Sequence, residues 1–147
     1  MVEARKAPLA SVEIIIQRDG QIVLIRREGY PFKGKWKLPG GMVEYGQTVE
    51  EAAVLEAKEE TNLDVELLDI LGVYSNPNRD PRFHSLATVF ITKPIGGELK
   101  GDVIETTDAK WVSIKDLTTD DMGFDHGKII GDFKIWLENR KTFWTGR

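Results

Sequence analysis

Residues 40–63 read GGMVEYGQTVEEAAVLEAKEETNL, and the rest of the chain is organised around them. A diglycine opens the stretch, an acidic loop follows, and a helix is predicted that carries Glu56, Glu59 and Glu60 at i, i+3 and i+4. At about 100° per residue these three carboxylates fall within a sector of about 100°. Val49, Ala52 and Ala53 fall in nearly the same sector, while Glu51, Val54 and Lys58 lie opposite. The carboxylates are therefore expected to continue the inward-facing stripe. Like charges at i,i+4 repel by about 0.2–0.5 kcal/mol, carboxylates in a last turn oppose the helix dipole, and burial adds to the cost unless a counter-charge is near. An acidic, oxygen-rich, partly enclosed cluster suits a hard divalent cation, Mg²⁺ or Mn²⁺. Taken alone, the triplet also reads as the solvated face of a surface helix.

The flanking residues bear on that choice. Thr48-x-x-Glu51 is a capping box that starts the helix, and Asn62 is a residue type that ends one in a left-handed conformation. Gly40 and Gly41, directly after Pro39, let the backbone turn and come close to whatever the carboxylates hold.

This order resembles the Nudix box, G-x5-E-x7-R-E-U-x-E-E-x-G-U, the signature of hydrolases that split a diphosphate linked to another group. Gly41 takes the opening glycine, Glu56 the glutamate after the arginine, Glu59 and Glu60 the paired glutamates, and Leu63 the closing aliphatic. Gln47, Leu55, Ala57 and Asn62 depart from the pattern. In the family the glutamate and arginine replaced by Gln47 and Leu55 form an ion pair. Losing both leaves no orphan charge.

Further along, Ser75-Asn76-Pro77-Asn78-Arg79-Asp80-Pro81-Arg82-Phe83-His84 is too polar and proline-rich for a sheet interior. Guanidinium groups offer a planar fork to phosphate oxygens, and a solvated loop with Asp80 paired to an arginine is the alternative. The stretch resembles the loop of the ADP-ribose pyrophosphatase-like branch of the Nudix superfamily. That likeness implies a substrate role for Arg79 or Arg82, with Asp80 holding an arginine in place. Phe124-Asp125-His126 before the last helix resembles the same branch; Asp125 is the expected N-cap, and both His126 and His84 are expected to be structural.

The elements outside the box are read from pattern. Ala10 to Gln17 and Gln21 to Arg27 are β-branched runs joined by Arg18-Asp19-Gly20, a hairpin signal. Alternation sends Arg26 and Arg27 to opposite faces, so at most one of them points toward the site, and Arg27 is the candidate to meet a phosphate. Tyr30 to Trp36 is a turn-rich, basic and aromatic approach to the diglycine, in which Lys35 is read as solvated. Val65 to Tyr74 reads as a strand broken at Gly72, His84 begins a strand through Thr92, and Gly96–Lys100 and Asp108–Ser113 are short strands. Ile129, Ile130, Phe133, Ile135, Trp136 and Leu137 give the final helix its apolar stripe. The expected fold is a single α/β domain over residues 1–147, a mixed sheet clasped between helices, which is the α/β/α sandwich the resemblance implies.

At 147 residues, 41% hydrophobic and 30% charged, one domain is expected. A net charge of -4 argues against general binding to nucleic acid or anionic membranes. The absence of cysteine excludes disulfides and thiol chemistry and fits a cytoplasmic setting. Met1 to Ala10 lacks a signal-peptide core, and no apolar run approaches the ~20 residues that span a bilayer.

The resemblance implies a mechanism. Gly41, Glu56, Glu59 and Glu60 would hold Mg²⁺, with Mn²⁺ as a substitute, and Glu59 and Glu105 are the catalytic candidates. Glu105 is chosen because the family lends a further glutamate from the loop before the tryptophan-bearing strand, here the one with Trp111, and Asp102 is the runner-up. Arg27, Arg79 and Arg82 would bind a nucleotide-sugar substrate, and Tyr30, Phe32 or Phe83 would stack on a base. ADP-ribose would yield AMP and ribose 5-phosphate. An oxidised nucleotide or dinucleoside polyphosphate substrate, or a sensor that binds ADP-ribose without cleaving it, are the alternatives. A homodimer is left open, with Trp136, Phe143 and Trp144 as interface or core.

Overall fold

A computed structural model describes residues 6–100 and 108–147. Its elements are β1 (Leu9–Arg18), β2 (Gln21–Arg26), β3 (Trp36–Lys37), β4 (Gly40–Met42), α1 (Val49–Thr61), β5 (Asp64–Tyr74), β6 (Ser85–Gly96), β7 (Ala109–Ser113), α2 (His126–Asn139) and β8 (Phe143–Trp144). The strands form one sheet in the order β3-β2-β1-β6-β5-β8, with β4 paired to β1 and β7 to β2. Its centre is the parallel pair β1 and β6, in register from Leu9↔Ser85 to Ile16↔Thr92.

The run Ile14-Ile15-Ile16 explains the layers. Side chains alternate across a strand, so Val12, Ile14 and Ile16 pack with Ala52, Ala53 and Ala57 of α1. Ile15 packs on the other face with Ile129, Ile130, Phe133 and Trp136 of α2. Both faces are buried, which is why the strand reads as a continuous apolar run. This is the mixed sheet between two helices expected from the sequence.

The local signals also hold. Asp19 and Gly20 take φ of 51° and 76°, the left-handed pair that a two-residue hairpin turn needs, and Arg18 pairs with Gln21. Thr48 caps α1, its hydroxyl accepting from the Glu51 amide at 3.0 Å. Asn62 ends it at φ 64°. The expected break at Gly72 is not one: β5 runs through it to Tyr74 with only a register shift against β6 between Ile70 and Gly72, and a Cβ at Gly72 would sit 2.2 Å from the Phe143 carbonyl oxygen of β8.

Gly96–Lys100 is not a strand. β6 runs on to Gly96, after which Gly97 at φ 82° turns the chain. Lys100 then donates to the Thr61 carbonyl, at the end of α1, at 2.9 Å. Glu105 and Asp102 lie outside the described residues. Trp136 and Phe143 belong to the core, whereas Trp144 is 53% exposed. Among the described residues, no helix is long and apolar enough to cross a membrane.

Candidate active site

Two adjoining cavities meet at the diglycine. The first is an acidic cleft of about 370 Å³ between α1 and β4, lined by Glu56, Glu59 and Glu60 together with Arg26, Arg27, Lys37, Gly40 and Gly41. Glu60 is tied to β4, since its Oε1 accepts from the Gly40 amide at 3.0 Å. Its Oε2 lies 4.0 Å from Lys37 Nζ. Glu56 packs directly on Gly41: a Cβ there would fall 2.4 Å from the carboxylate carbon and 2.6 Å from each oxygen. The glycine is therefore required for the contact itself. Gly41→Ala is expected to push Glu56 aside and reduce kcat by about 10²-fold, the order that an ångström-scale misplacement produces. A thermal melt and steady-state kinetics check it.

Only part of the triplet points inward. Glu56 and Glu60 are half-buried, but Glu59 is exposed. Four residues rotate a helix by about 40°, whereas three rotate it about 60° the other way. Glu59 thus falls on the solvent side of Glu56, although it still lines the cleft. Among the described residues, no three acidic or histidine side chains converge closely enough in these rotamers to hold an ion. The donor chemistry nonetheless fits a hard cation: three carboxylates share one cleft with a backbone that no Cβ screens from Glu56.

The second cavity, about 270 Å³, shares Arg27, Lys37, Gly40 and Gly41 with the cleft and adds Ser11, Glu13, Met42, Arg79, Asp80, Arg82, Phe83, Ser85, Phe124 and His126. Here the two arginines of the 75–84 loop part company. Asp80 holds Arg82, as expected: its Oδ1 accepts from the Arg82 amide at 2.9 Å and from Nε at 3.1 Å, and its Oδ2 from Nη2 at 2.9 Å. The Arg82 side chain is 39% exposed and lies over Phe83. Arg79 is buried, with its guanidinium committed to protein. It donates to both oxygens of Asp125 at 2.8 and 2.9 Å, to Ser85 Oγ at 3.0 Å and to Glu13 Oε1 at 3.3 Å. Arg79 was expected beside Arg82 as a substrate clamp; two carboxylates and a hydroxyl already fill its fork. Asp125 stands at the N-cap of α2 but makes no side-chain cap hydrogen bond, because its carboxylate goes to Arg79.

Arg27 lines both cavities. Its Nε donates to the Pro31 carbonyl at 2.6 Å and its Nη2 to that of Tyr30 at 3.1 Å, which aligns the guanidinium. Arg26 is exposed and pairs with Asp108 at 3.6 Å. Lys35 donates to the Asp120 carbonyl, and His84 Nε2 bonds the Ser75 carbonyl at 2.9 Å. Tyr30 is 77% exposed at the surface, and Phe32 meets Phe124 edge-on at 4.8 Å. Gln47 folds back within its own loop, Oε1 accepting from the Glu44 amide at 3.0 Å, and Leu55 is exposed.

Glu13 and His126 complete the wall. The Leu38 amide donates to His126 Nδ1 at 3.0 Å, so that nitrogen carries no proton and the neutral ring presents Nε2–H to Glu13 Oε1 at 3.5 Å. Burial holds the His126 pKa below its ordinary value and outweighs the pull of Glu13. Burial alone would raise Glu13, but the hydrogen bond from His126 and the charge of Arg79 bring it below the usual carboxylate value. Both folded-state values are depressed, so both contributions are complete above the unfolded values and are lost as pH falls. Unfolding free energy is expected to decline below about pH 6.5, as the unfolded chain takes up a proton at His126. A further decline follows below about pH 4.5 from Glu13. Urea titrations from pH 8 to 4 measure this; a flat profile through pH 6 would refute a neutral buried His126. The sequence carried a signal for Glu13, a lone acid inside Ser11-Val-Glu-Ile-Ile-Ile-Gln17. A charge in a strand buried on both faces demands a partner.

Comparison with known proteins follows the same lines. The model of the NUDIX domain matches residues 7–133. The chain is 51% identical over 130 residues to an ADP-ribose pyrophosphatase from Methanocaldococcus jannaschii, covering 88% of this chain and 75% of that protein. Its structure is similar to that of a NUDIX hydrolase from Nitrosomonas europaea, with TM-score 0.81 and 24% identity, covering 96% of this chain and 79% of the other. It is also similar to the NUDIX domain of Shewanella oneidensis NrtR complexed with ADP ribose, with TM-score 0.77, 24% identity and 90% of both chains covered. At that identity the two structures establish the fold alone.

Proposed function

The chain belongs to the Nudix family and is a hydrolase, and on that premise we propose that it cleaves the diphosphate bridge of ADP-ribose to AMP and ribose 5-phosphate with Mg²⁺, or with Mn²⁺ in its place. The observation that carries the proposal is the junction of an acidic cleft with an arginine-lined cavity across one diglycine. A diphosphate bridge lying over Gly40 and Gly41 would meet carboxylates on one side and guanidinium groups on the other. Similarity to the M. jannaschii pyrophosphatase supports the choice of substrate.

Gly41, Glu56, Glu59 and Glu60 would hold the metal. Once bound, it would neutralise the diphosphate, acidify a water and stabilise the departing phosphate. Arg27 and Arg82 would orient the phosphates, each being held from behind by a carbonyl or a carboxylate. Glu59, exposed at the cleft, would be a proton acceptor within reach of solvent, and Glu105 is the other candidate base. Phe83, beside Arg82 in the second cavity, would flank the sugar or base.

Binding of ADP-ribose without cleavage is the second reading, favoured by Gln47 and Leu55 standing where the family has an ion pair. Incubation with Mg²⁺ and ADP-ribose, oxidised nucleotides and dinucleoside polyphosphates, with chromatography of the products, separates the cases. AMP and ribose 5-phosphate are expected from ADP-ribose at the highest kcat/KM. Tight binding with no product would favour the sensor, and faster turnover of another nucleotide would reassign the substrate. Gln47→Glu with Leu55→Arg is expected to change turnover less than about threefold, because Gln47 already closes its loop on Glu44. A gain of tenfold would mean that the missing pair limits the enzyme.

A further inference from the structure

Two motifs, Arg79-Asp80-Pro81-Arg82 and Phe124-Asp125-His126, are only partly used by the reaction, yet they meet in the interior. Asp125 accepts from Nε and Nη2 of Arg79, Arg79 also reaches Glu13, and Glu13 faces His126, the residue next to Asp125. His126 is 2% exposed and Glu13 8% exposed, while the Asp125 side chain is 22% exposed, so the contacts are largely but not wholly shielded from solvent. One arm leaves it: the bond from the Leu38 amide to His126 Nδ1 at 3.0 Å. Leu38 is two residues from Gly40, whose amide binds Glu60, and three from Gly41, which contacts Glu56.

We infer that His126 is a positioning residue for the acidic cleft, holding the Leu38 amide so that the segment through Gly41 presents its backbone to Glu60 and Glu56. The need for such a clamp follows from the sequence of the segment. Consecutive glycines have the widest backbone freedom of any pair, so Gly40 and Gly41 cannot hold their own place. β4 is three residues long, and its partner β1 fixes one side only, through Ser11↔Met42 to Glu13↔Gly40. His126 supplies a second anchor from the opposite layer. The ring cannot drift, because Glu13 faces Nε2 while Arg79 holds both Glu13 and Asp125. Arg79, Asp125 and Glu13 thus orient His126, which orients the diglycine. Contacts of this outer kind typically carry 10–100-fold in metal affinity or activity.

The inference rests on the hydrolase reading for what the cleft does, but the clamp is a claim about backbone and is tested as one. Asparagine at this position places an acceptor near Nδ1, glutamine places its amide near Nε2, and leucine keeps bulk alone. His126→Asn should retain Mn²⁺ affinity, read by electron paramagnetic resonance without substrate, within about threefold. His126→Gln and His126→Leu should lose 10-fold or more, with kcat falling further than KM rises. Amide hydrogen exchange at Leu38 and Gly40 should accelerate in the Gln and Leu variants and stay near wild type in the Asn variant. Equal losses in the Asn and Gln variants, or a lowered melting temperature with unchanged Mn²⁺ affinity and exchange, would overturn the clamp. Should the leucine variant not fold, the Asn and Gln pair decides. If the wild type neither binds Mn²⁺ nor turns over ADP-ribose, the hydrolase reading falls while the exchange data still judge the clamp.

Discussion

Glu56→Gln combined with Glu60→Gln is expected to lower kcat/KM for ADP-ribose by on the order of 10³-fold or more, since removing a single preorganised charge-stabilising group already costs 10²–10³-fold. Glutamine preserves shape, and its carbonyl oxygen can still accept from the Gly40 amide that Glu60 now binds. The fold should therefore survive. Two carboxylates one turn apart also repel each other by a few tenths of a kcal/mol, which offsets part of the lost attraction between Glu60 and Lys37, so the melting temperature should change little. Stability held while activity collapses is the pattern of a site, not of a scaffold. Measured with saturating Mg²⁺, turnover within tenfold of wild type would exclude metal-assisted hydrolysis at this cleft.

Arg79→Met is expected to have the largest effect on stability, about 3–5 kcal/mol, because it strands the carboxylates of Glu13 and Asp125 with their main counter-charge gone. In a chain of this size that corresponds to about 10 °C or more in melting temperature. The partner variant sharpens the test. Arg82→Ala removes a side chain that is 39% exposed and leaves buried Asp80 the Arg82 amide as a donor, so it should cost clearly less stability than Arg79→Met while raising KM for ADP-ribose. The two arginines stand three residues apart on one loop, and opposite outcomes are expected for them. If Arg79→Met melted like wild type and only KM rose, Arg79 would be a substrate clamp after all.

Those arginines mark where sequence reasoning runs short. Their chemistry is identical, and nothing within Asn78 to Phe83 says which is buried. The separation comes from residues far along the chain: Ser85 and Glu13 on adjacent parallel strands, and Asp125 at the head of α2. Glu59 teaches the same lesson on a finer scale. Helical arithmetic places it correctly relative to Glu56, but the edge of the cleft is set by β4, whose position the helix does not encode. Asp125 was legible as a helix start, and its side chain was drawn away by a buried guanidinium that a local rule cannot see.

Local and periodic information determined a great deal by itself. The capped helix with its carboxylates, the Asp19-Gly20 turn, the β-branched run of β1 and the helices on both faces of the sheet all follow from interactions spanning a few residues or from the order of the elements. The spacing of Gly41, Glu56, Glu59, Glu60 and Leu63 carries the resemblance to the family, and the helix points to the acidic cleft. Only the tertiary structure decided which polar groups are spent on one another. Whether Arg79, Asp125, Glu13 and His126 face a ligand or a neighbour depends on strands and a helix more than 40 residues apart closing on the same space. A charge buried there takes whichever partner the fold brings within reach.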